Sequence, residues 1–309
     1  MNLQTNKKLD FVSIAIPAYK ATFIKETITS VLSQTYTNFE LIIVNDKSPE
    51  DIDSIVSCFN DPRIKYYKNS YNLGKKSIVH NWNKCLSYAK GEYFVLLCDD
   101  DIMEPTFLKE MLELANKYPQ INVFRCRTKY FNSNNGNIIY ETSVWPEYEL
   151  YESFITNALS GLRKHTISEF LYRTNHIKSC NGYIVLPAGY YSDIASIITF
   201  TQKGGIVSNS NPLIKFRKSE INISYNNRYN IEKVKSAIEY YEWLKRIIIE
   251  NGIIYNIEEK RDYDIYMYYI SSHNIIDALK ILFLVVPSSI WNIKTKIVYL
   301  YNWFKANHK

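Results

Sequence analysis

Several of the usual signatures of cofactor and metal chemistry are missing from this chain. Only nine glycines and nine prolines occur among its 309 residues. No GxGxxG follows a strand and no GxxxxGK[ST] occurs anywhere, so the common dinucleotide and P-loop phosphate grips are absent. The five cysteines (Cys58, Cys85, Cys98, Cys126, Cys180) form no CxxC pair, which speaks against a zinc site and a disulfide framework. A reducing compartment, the cytoplasm, is the expected location. The N-terminal MNLQTNKKLD has no apolar core of signal-peptide type. The longest apolar run, Ile281 to Val286, ends at Pro287 and is far too short to cross a bilayer. The net charge of +6 suits anionic partners such as nucleotides. No basic stripe interleaved with aromatics is dense enough for nucleic acid, so no nucleic-acid partner is expected.

What is present begins with alternating strand and helix patterns. Phe11 to Ile16 reads as a buried strand closed by Pro17, and Phe23 to Leu32 carries apolar residues at helical spacing. Phe39 to Val44 is a second strand. Ser48, Pro49 and Asp51 then form a helix-start pattern, with Ser48 as the expected cap. A short strand at Ile64 to Tyr67, a helix from Ser77 to Ala89 and a strand at Tyr93 to Leu97 follow. Strands alternating with helices predict a doubly wound, mostly parallel sheet.

The chemistry concentrates in GEYFVLLCDDD, Gly91 to Asp101. Asp99, Asp100 and Asp101 stand together where the strand ends. Adjacent carboxylates repel one another and resist burial unless a cation or a ring of donors faces them. Open α/β sheets bind ligands at the carboxyl ends of their strands. A divalent cation carrying phosphates fits that position, since magnesium is held by one or two carboxylates plus substrate phosphates. The plain alternative is a solvated turn whose aspartate caps the next helix.

SIAIPAYKATFIKETITSVLSQTYTNFELIIVNDKSPED, with NLGKKSIVHNWNKCLSYAKGE and the acid cluster, resembles the opening of the family 2 glycosyltransferases of the GT-A fold. The likeness runs from residue 11 to about 110 and more weakly to 224. It implies a GT-A, Rossmann-like α/β sheet with helices on both faces and a helical C-terminal extension. The expected division is 1–105 for the nucleotide-sugar half, 106–224 for the acceptor half and 225–309 for the extension. The resemblance further implies donor contacts from Pro17, Tyr19, Asp46, Lys76, Asp99 and Arg217. It implies a metal, Mn²⁺ or Mg²⁺, held by Asp100 and Asp101. Cys98 replaces the usual first acid of the family's DxD motif, and Asn45 replaces the first acid of the strand-end pair.

LPAGYYSDIASIITFTQKGGIV, Leu186 to Val207, resembles the family's Glu-Asp helix, with Ser192 in place of the Glu. The resemblance makes Asp193 the catalytic base that takes the acceptor hydroxyl's proton; its plain reading is a charge at a helix start. PLIKFRKSEINIS, residues 212–224, resembles the closing Arg-x-His-x-x-x-x-Ser segment, with Arg217 kept and Ser219 at the His position. Beyond Tyr225 the pattern is helical, over Ile231 to Ile249, Tyr263 to Phe283 and Ile290 to Lys309. The last of these is basic and amphipathic. It suits an anionic membrane surface on the inner face of the cytoplasmic membrane, or packing against the domain or a second subunit.

The expected activity is inverting transfer of a sugar from a nucleotide-diphospho-sugar, such as a UDP-sugar. The acceptor is a hydroxyl of a glycan or lipid-linked glycan in bacterial surface polysaccharide synthesis. The alternatives are a nucleotidyltransferase, and a catalytically silent nucleotide-sugar-binding or scaffold protein.

Overall fold

The computed structural model describes residues 10–161, 164–219, 222, 227–272 and 274–307. The N-terminal stretch read for a signal segment and Ser224 of the closing motif lie outside the described residues. The chain forms two compact units. One comprises residues up to 74, 80–183 and 196–218, the other residues 75–79, 184–195 and 219 onward.

The strands are β1 (Val12–Ala18), β2 (Phe39–Asn45), β3 (Ile64–Lys68), β4 (Tyr93–Leu96), β5 (Ile102–Met103), β6 (Val123–Asn132), β7 (Ile138–Glu141), β8 (Tyr148–Glu149), β9 (Phe170–Arg173) and β10 (Ile206–Lys218). The helices between them are α1 (Ile24–Leu32), α2 (Ile52–Ser57), α3 (Val79–Tyr88), α4 (Phe107–Lys117), α5 (Tyr151–Leu159), α6 (Thr174–Ser179) and α7 (Ser192–Thr201). One sheet runs β3-β2-β1-β4-β9-β6-β10-β5, with β7 beside β6 and β8 beside β10. The expected α/β sheet is parallel from β3 to β4, and β6 and β10 are also parallel. Strand β9 enters antiparallel to both β4 and β6, so the second half of the sheet is mixed.

Both faces of β1, β2 and β4 are buried, as crossover helices require, while the edge strand β3 is only partly covered. Ile14, Ile16, Leu41, Ile43 and Val95 pack with Ile24, Ile28 and Val31 of α1 and with Leu108 and Met111 of α4. The alternate residues Ala15, Ile42, Val44, Phe94 and Leu96 are equally buried. Each such aliphatic side chain contributes about 1.5–3 kcal/mol when withdrawn from water. Pro17 does not close β1 as expected but sits within it, opposite Val44. Pairing with β4 ends at Ala15 and Leu96, so the proline's missing N–H falls where the strand has one neighbour. The turn into β4 passes very close to β1. A Cβ at Gly91 would lie 2.5 Å from the Ser13 amide nitrogen, which only glycine avoids.

Two caps compete in NDKSPED, and the later one prevails. Helix α2 starts at Ile52, and the Asp51 carboxylate accepts the Ser54 N–H at 3.0 Å. Ser48, the expected cap, instead donates its hydroxyl to the Tyr19 carbonyl at 2.6 Å.

In the second unit, α8 (Asn230–Glu250), α9 (Ile257–Ile270), α10 (Ile275–Lys280) and α11 (Ile293–Asn307) follow, with a π-helical turn at Ile281–Val285. Helix α8 buries Val234, Ala237, Tyr241, Leu244 and Ile248 along one face. The helix expected over Tyr263 to Phe283 is two helices. Asn274 restarts the chain as a cap, its side-chain oxygen accepting the Asp277 N–H at 2.9 Å.

Candidate active site

The order β2-β1-β4 places the carboxyl ends of β1 and β4 side by side, where the connections leave in opposite directions along the sheet. This is the topological switch point at which open α/β sheets take ligands. Tyr19 and Lys20 follow β1, and Cys98 to Asp101 follow β4.

The two loops are bonded to each other through Asp99. One of its oxygens accepts the N–H groups of both Tyr19 and Lys20, each at 2.8 Å. The Tyr19 ring is left 41% exposed, free to offer a face to a planar ligand. The Lys20 ammonium lies 2.5 Å from one Asp100 oxygen and 3.7 Å from Asp99. Asp101 accepts the Ser168 hydroxyl at 2.6 Å on one oxygen and the Arg217 N–H at 3.2 Å on the other.

All three carboxylates are buried. Burial, and then the neighbouring Asp100 charge, push Asp101 up to about 8. Burial also raises Asp99, to about 6, although the Lys20 charge opposes the shift. On Lys20, burial works to lower the pKa, but the Asp99 and Asp100 charges outweigh it and the net shift is upward. Adjacent carboxylates withdrawn from water in this way are the condition a bound cation relieves.

Cys98, Asp100 and Asp101 bring one ligand atom each within 4.8 Å of one another. Burial and the nearby acids hold the Cys98 thiol well above its ordinary value, so it stays protonated. Two hard carboxylates beside a neutral thiol fit Mg²⁺ or Mn²⁺ and do not fit a thiolate-seeking metal such as zinc.

Asp46, at the end of β2, is buried. Its oxygens accept Asn69 Nδ2 at 2.7 Å, the Leu73 N–H at 2.8 Å and the Gly74 N–H at 2.7 Å, which ties down the loop over residues 69–74. Neighbouring Asn45 joins the Tyr66 hydroxyl and the Ser48 N–H. Arg217 is buried between the rings of Phe23 and Phe131, 4.1 and 4.6 Å from their centroids. It pairs with Glu26 and donates Nε–H to the Asp100 carbonyl at 2.9 Å. It therefore braces the acid loop from behind.

Lys76 and Asp193 belong to the second unit. Lys76 is exposed. Asp193 is the second residue of α7, half-buried, and its Oδ1 accepts the Ile194 N–H at 2.8 Å. The turn before it is strongly shaped: Ala188, Gly189 and Tyr191 all have positive φ. A Cβ on Gly189 would meet Ile78 at 2.5 Å. Ser192, where the family has Glu, is wholly buried and accepts the Leu186 N–H at 3.1 Å. The Tyr191 hydroxyl contacts Asp264 and Tyr268 at 3.1 and 3.0 Å, and its ring stacks on Tyr240.

The first unit thus brings together Pro17, Tyr19, Asp46, Asp99, Asp100, Asp101 and Arg217. Sequence reasoning missed Lys20, Ser168 and Glu26. For Lys20 the only signal was its place next to Tyr19; for Ser168 and Glu26 there was none, because their partners are distant in sequence.

The profile of glycosyl transferase family 2 matches residues 13–175, just over half of the chain. The chain is 33% identical over 151 residues to WfgD of Escherichia coli, a UDP-Glc:alpha-D-GlcNAc-diphosphoundecaprenol beta-1,3-glucosyltransferase; this spans 48% of the chain and 57% of WfgD. The match spans between 16% and 57% of the length of such curated relatives. S. aureus TarS 1-349, solved in complex with UDP-GlcNAc, superposes with a TM-score of 0.59 at 16% identity, covering 97% of this chain and 91% of that one. The mannosyltransferase PcManGT from Pyrobaculum calidifontis, in complex with GDP-Man and Mn²⁺, gives 0.57 at 13% identity over 98% and 88%. At these identities the likeness concerns the fold. With the profile match, the GT-A-type sheet and the acid cluster at its switch point, the chain belongs to glycosyl transferase family 2.

Proposed function

We propose that the protein moves a sugar, with inversion, from a nucleotide-diphospho-sugar to a hydroxyl of a glycan or lipid-linked glycan in surface polysaccharide synthesis. The observation that carries this reading is the buried carboxylate cluster at the ends of β1 and β4. A UDP-sugar is the favoured donor, supported by the UDP-linked names of WfgD and of the TarS complex. The diphosphoundecaprenol acceptor in WfgD's name supports a lipid-linked acceptor.

In this reading the exposed Tyr19 ring stacks on the base. Asp46 shapes the loop that borders the base, and Asp99 fixes the backbone of Tyr19 and Lys20. Lys76 adds positive charge toward the diphosphate. Asp100 and Asp101 would hold Mg²⁺ or Mn²⁺, with Arg217 bracing their loop. The bound cation would neutralise charge that develops on the diphosphate as it leaves. Asp193 takes the proton from the acceptor hydroxyl while that oxygen bonds to the anomeric carbon and the carbon–phosphate-oxygen bond breaks. A single displacement of this kind inverts the anomeric centre.

Thermal-shift screening of nucleotide-sugars in Mn²⁺ tests the donor, because only a true ligand raises the melting temperature. A UDP-sugar is expected to raise it and to be hydrolysed slowly to UDP, with both effects lost in EDTA. If no nucleotide-sugar in Mn²⁺ shifts the melting temperature, the reading fails.

Among the described residues no helix is long and apolar enough to cross a membrane. Within the second unit, Ile293, Ile297, Tyr301 and Phe304 of α11 nevertheless expose an apolar stripe. The sequence has no acid after Asp277 but five lysines, of which Lys296 is buried on the Val286 carbonyl and Lys280, Lys294, Lys305 and Lys309 remain. Apolar stripe and one-sided charge suit peripheral binding to the anionic inner face of the cytoplasmic membrane. The protein is expected to float with phosphatidylglycerol vesicles and not with phosphatidylcholine vesicles. Ile297→Asp should release it; unchanged flotation of that variant would sink the assignment.

A further inference from the structure

Lys20 raises a question that the proposed mechanism leaves open. Its ammonium lies 2.5 Å from Asp100 and 3.7 Å from Asp99, with its side chain only 21% exposed. Asp100 is also one of the three residues that could hold a metal ion. The other carboxylate of that trio, Asp101, is met by neutral donors, the Ser168 hydroxyl and the Arg217 N–H. The chain thus supplies a cation of its own to the acid a metal needs.

The two cations compete for that carboxylate. Magnesium sits about 2.0–2.1 Å from a carboxylate oxygen. With the ammonium retained at its present distance from the same carboxylate, two positive centres would face each other across one group, in a site largely shielded from water. Their repulsion is large at the reduced dielectric of such a place. The lysine has somewhere else to go. Its backbone is pinned, because Asp99 accepts both the Tyr19 and Lys20 N–H groups. Its flexible four-carbon stem, carrying a mobile point charge, is not fixed in the same way. A donor's diphosphate, arriving with the metal, brings fresh negative charge to the same end of the sheet.

We propose that Lys20 is a built-in counter-ion of the acid cluster, displaced from Asp100 by the divalent cation and transferred to the diphosphate of the donor. This inference rests on the proposed donor class and assigns a positioning role to a residue outside the family motif. Metal alone then binds weakly, since it must evict the ammonium. Metal and nucleotide diphosphate bind with positive coupling, since the diphosphate accepts the evicted group.

The test uses the full chain and compares wild type with Lys20→Met. Mn²⁺ binding is followed by the loss of its free-ion EPR signal, first alone and then with UDP. Lys20→Met is expected to bind Mn²⁺ alone about tenfold more tightly, and UDP in saturating Mn²⁺ about tenfold more weakly, with the coupling between them reduced. A second readout separates displacement from a fixed background charge. In protein carrying ¹³C-methylated lysines, the Lys20 resonance, identified by its absence in Lys20→Arg, is expected to move on adding Mg²⁺ and again on adding UDP. Mn²⁺ binding no tighter in Lys20→Met, or a Lys20 resonance that Mg²⁺ leaves in place, overturns the proposal. If wild type binds Mn²⁺ but never UDP, the donor reading falls, and the metal-only arm still decides the displacement.

Discussion

Asp100→Asn is expected to reduce sugar transfer and donor hydrolysis by at least about 10³-fold, because a catalytic cation supplies several kcal/mol of charge stabilisation. It should abolish Mn²⁺ binding and leave the fold in place. Asparagine keeps the shape of the side chain and weakens its contact with the Lys20 ammonium. Asp101→Asn is a different experiment, because Asp101 accepts bonds from Ser168 and from the Arg217 N–H. An amide turned the wrong way there sets one N–H against another, so that variant loses stability as well as activity. The metal equilibrium adds a pH signature. Burial raises Asp101 to about 8, so the metal-free cluster retains a proton on Asp101 at neutral pH. Binding must expel it, and the apparent affinity for Mn²⁺ should therefore rise as pH goes from 6 to 8. Titrations by EPR in non-coordinating buffers check both points. An Asp100→Asn protein that still binds Mn²⁺ as wild type does would remove this carboxylate from the metal site.

The half of the sheet that carries the acid cluster was legible because its signals are local. The buried runs of β1, β2 and β4, the spacing of Ile28 and Val31 in α1 and the acids after β4 are each contained within one element. What the sequence hid depends on partners far along the chain. Strand β9 is four residues long, and its direction follows from pairing with β4 and β6 rather than from its own pattern. The Arg217 guanidinium reads as a cation for the diphosphate until Phe23 and Phe131 are seen on either side of it. Asp46 is expected to contact the donor, and in the fold its oxygens hold the loop of residues 69–74. Lys20 is one lysine among many in the sequence, and only the fold places it on Asp100. The misplaced cap at Ser48 has another cause. Ser48 and Asp51 both fit the start of a helix, and local pattern alone does not choose between them.

Asp193→Asn is expected to lower the rate of transfer by about 10²–10⁴-fold, the usual contribution of a positioned general base. Donor binding should be little changed. The substitution is built to leave the turn intact. Asparagine keeps an oxygen able to accept the Ile194 N–H. The positive-φ turn ahead of it is held by other groups, namely Ser192 on Leu186 and Tyr191 on Asp264 and Tyr268. What the amide lacks is the capacity to take a proton. Hydrolysis of the donor by water should fall less than transfer to the glycan, provided that binding and leaving-group stabilisation reside at the Asp100 cluster. The decisive comparison is therefore kcat for transfer against the Kd for UDP-sugar in Mn²⁺, measured on the same preparation. A loss confined to kcat supports the base. Transfer by Asp193→Asn within about tenfold of wild type would reduce Asp193 to a charge at the start of α7.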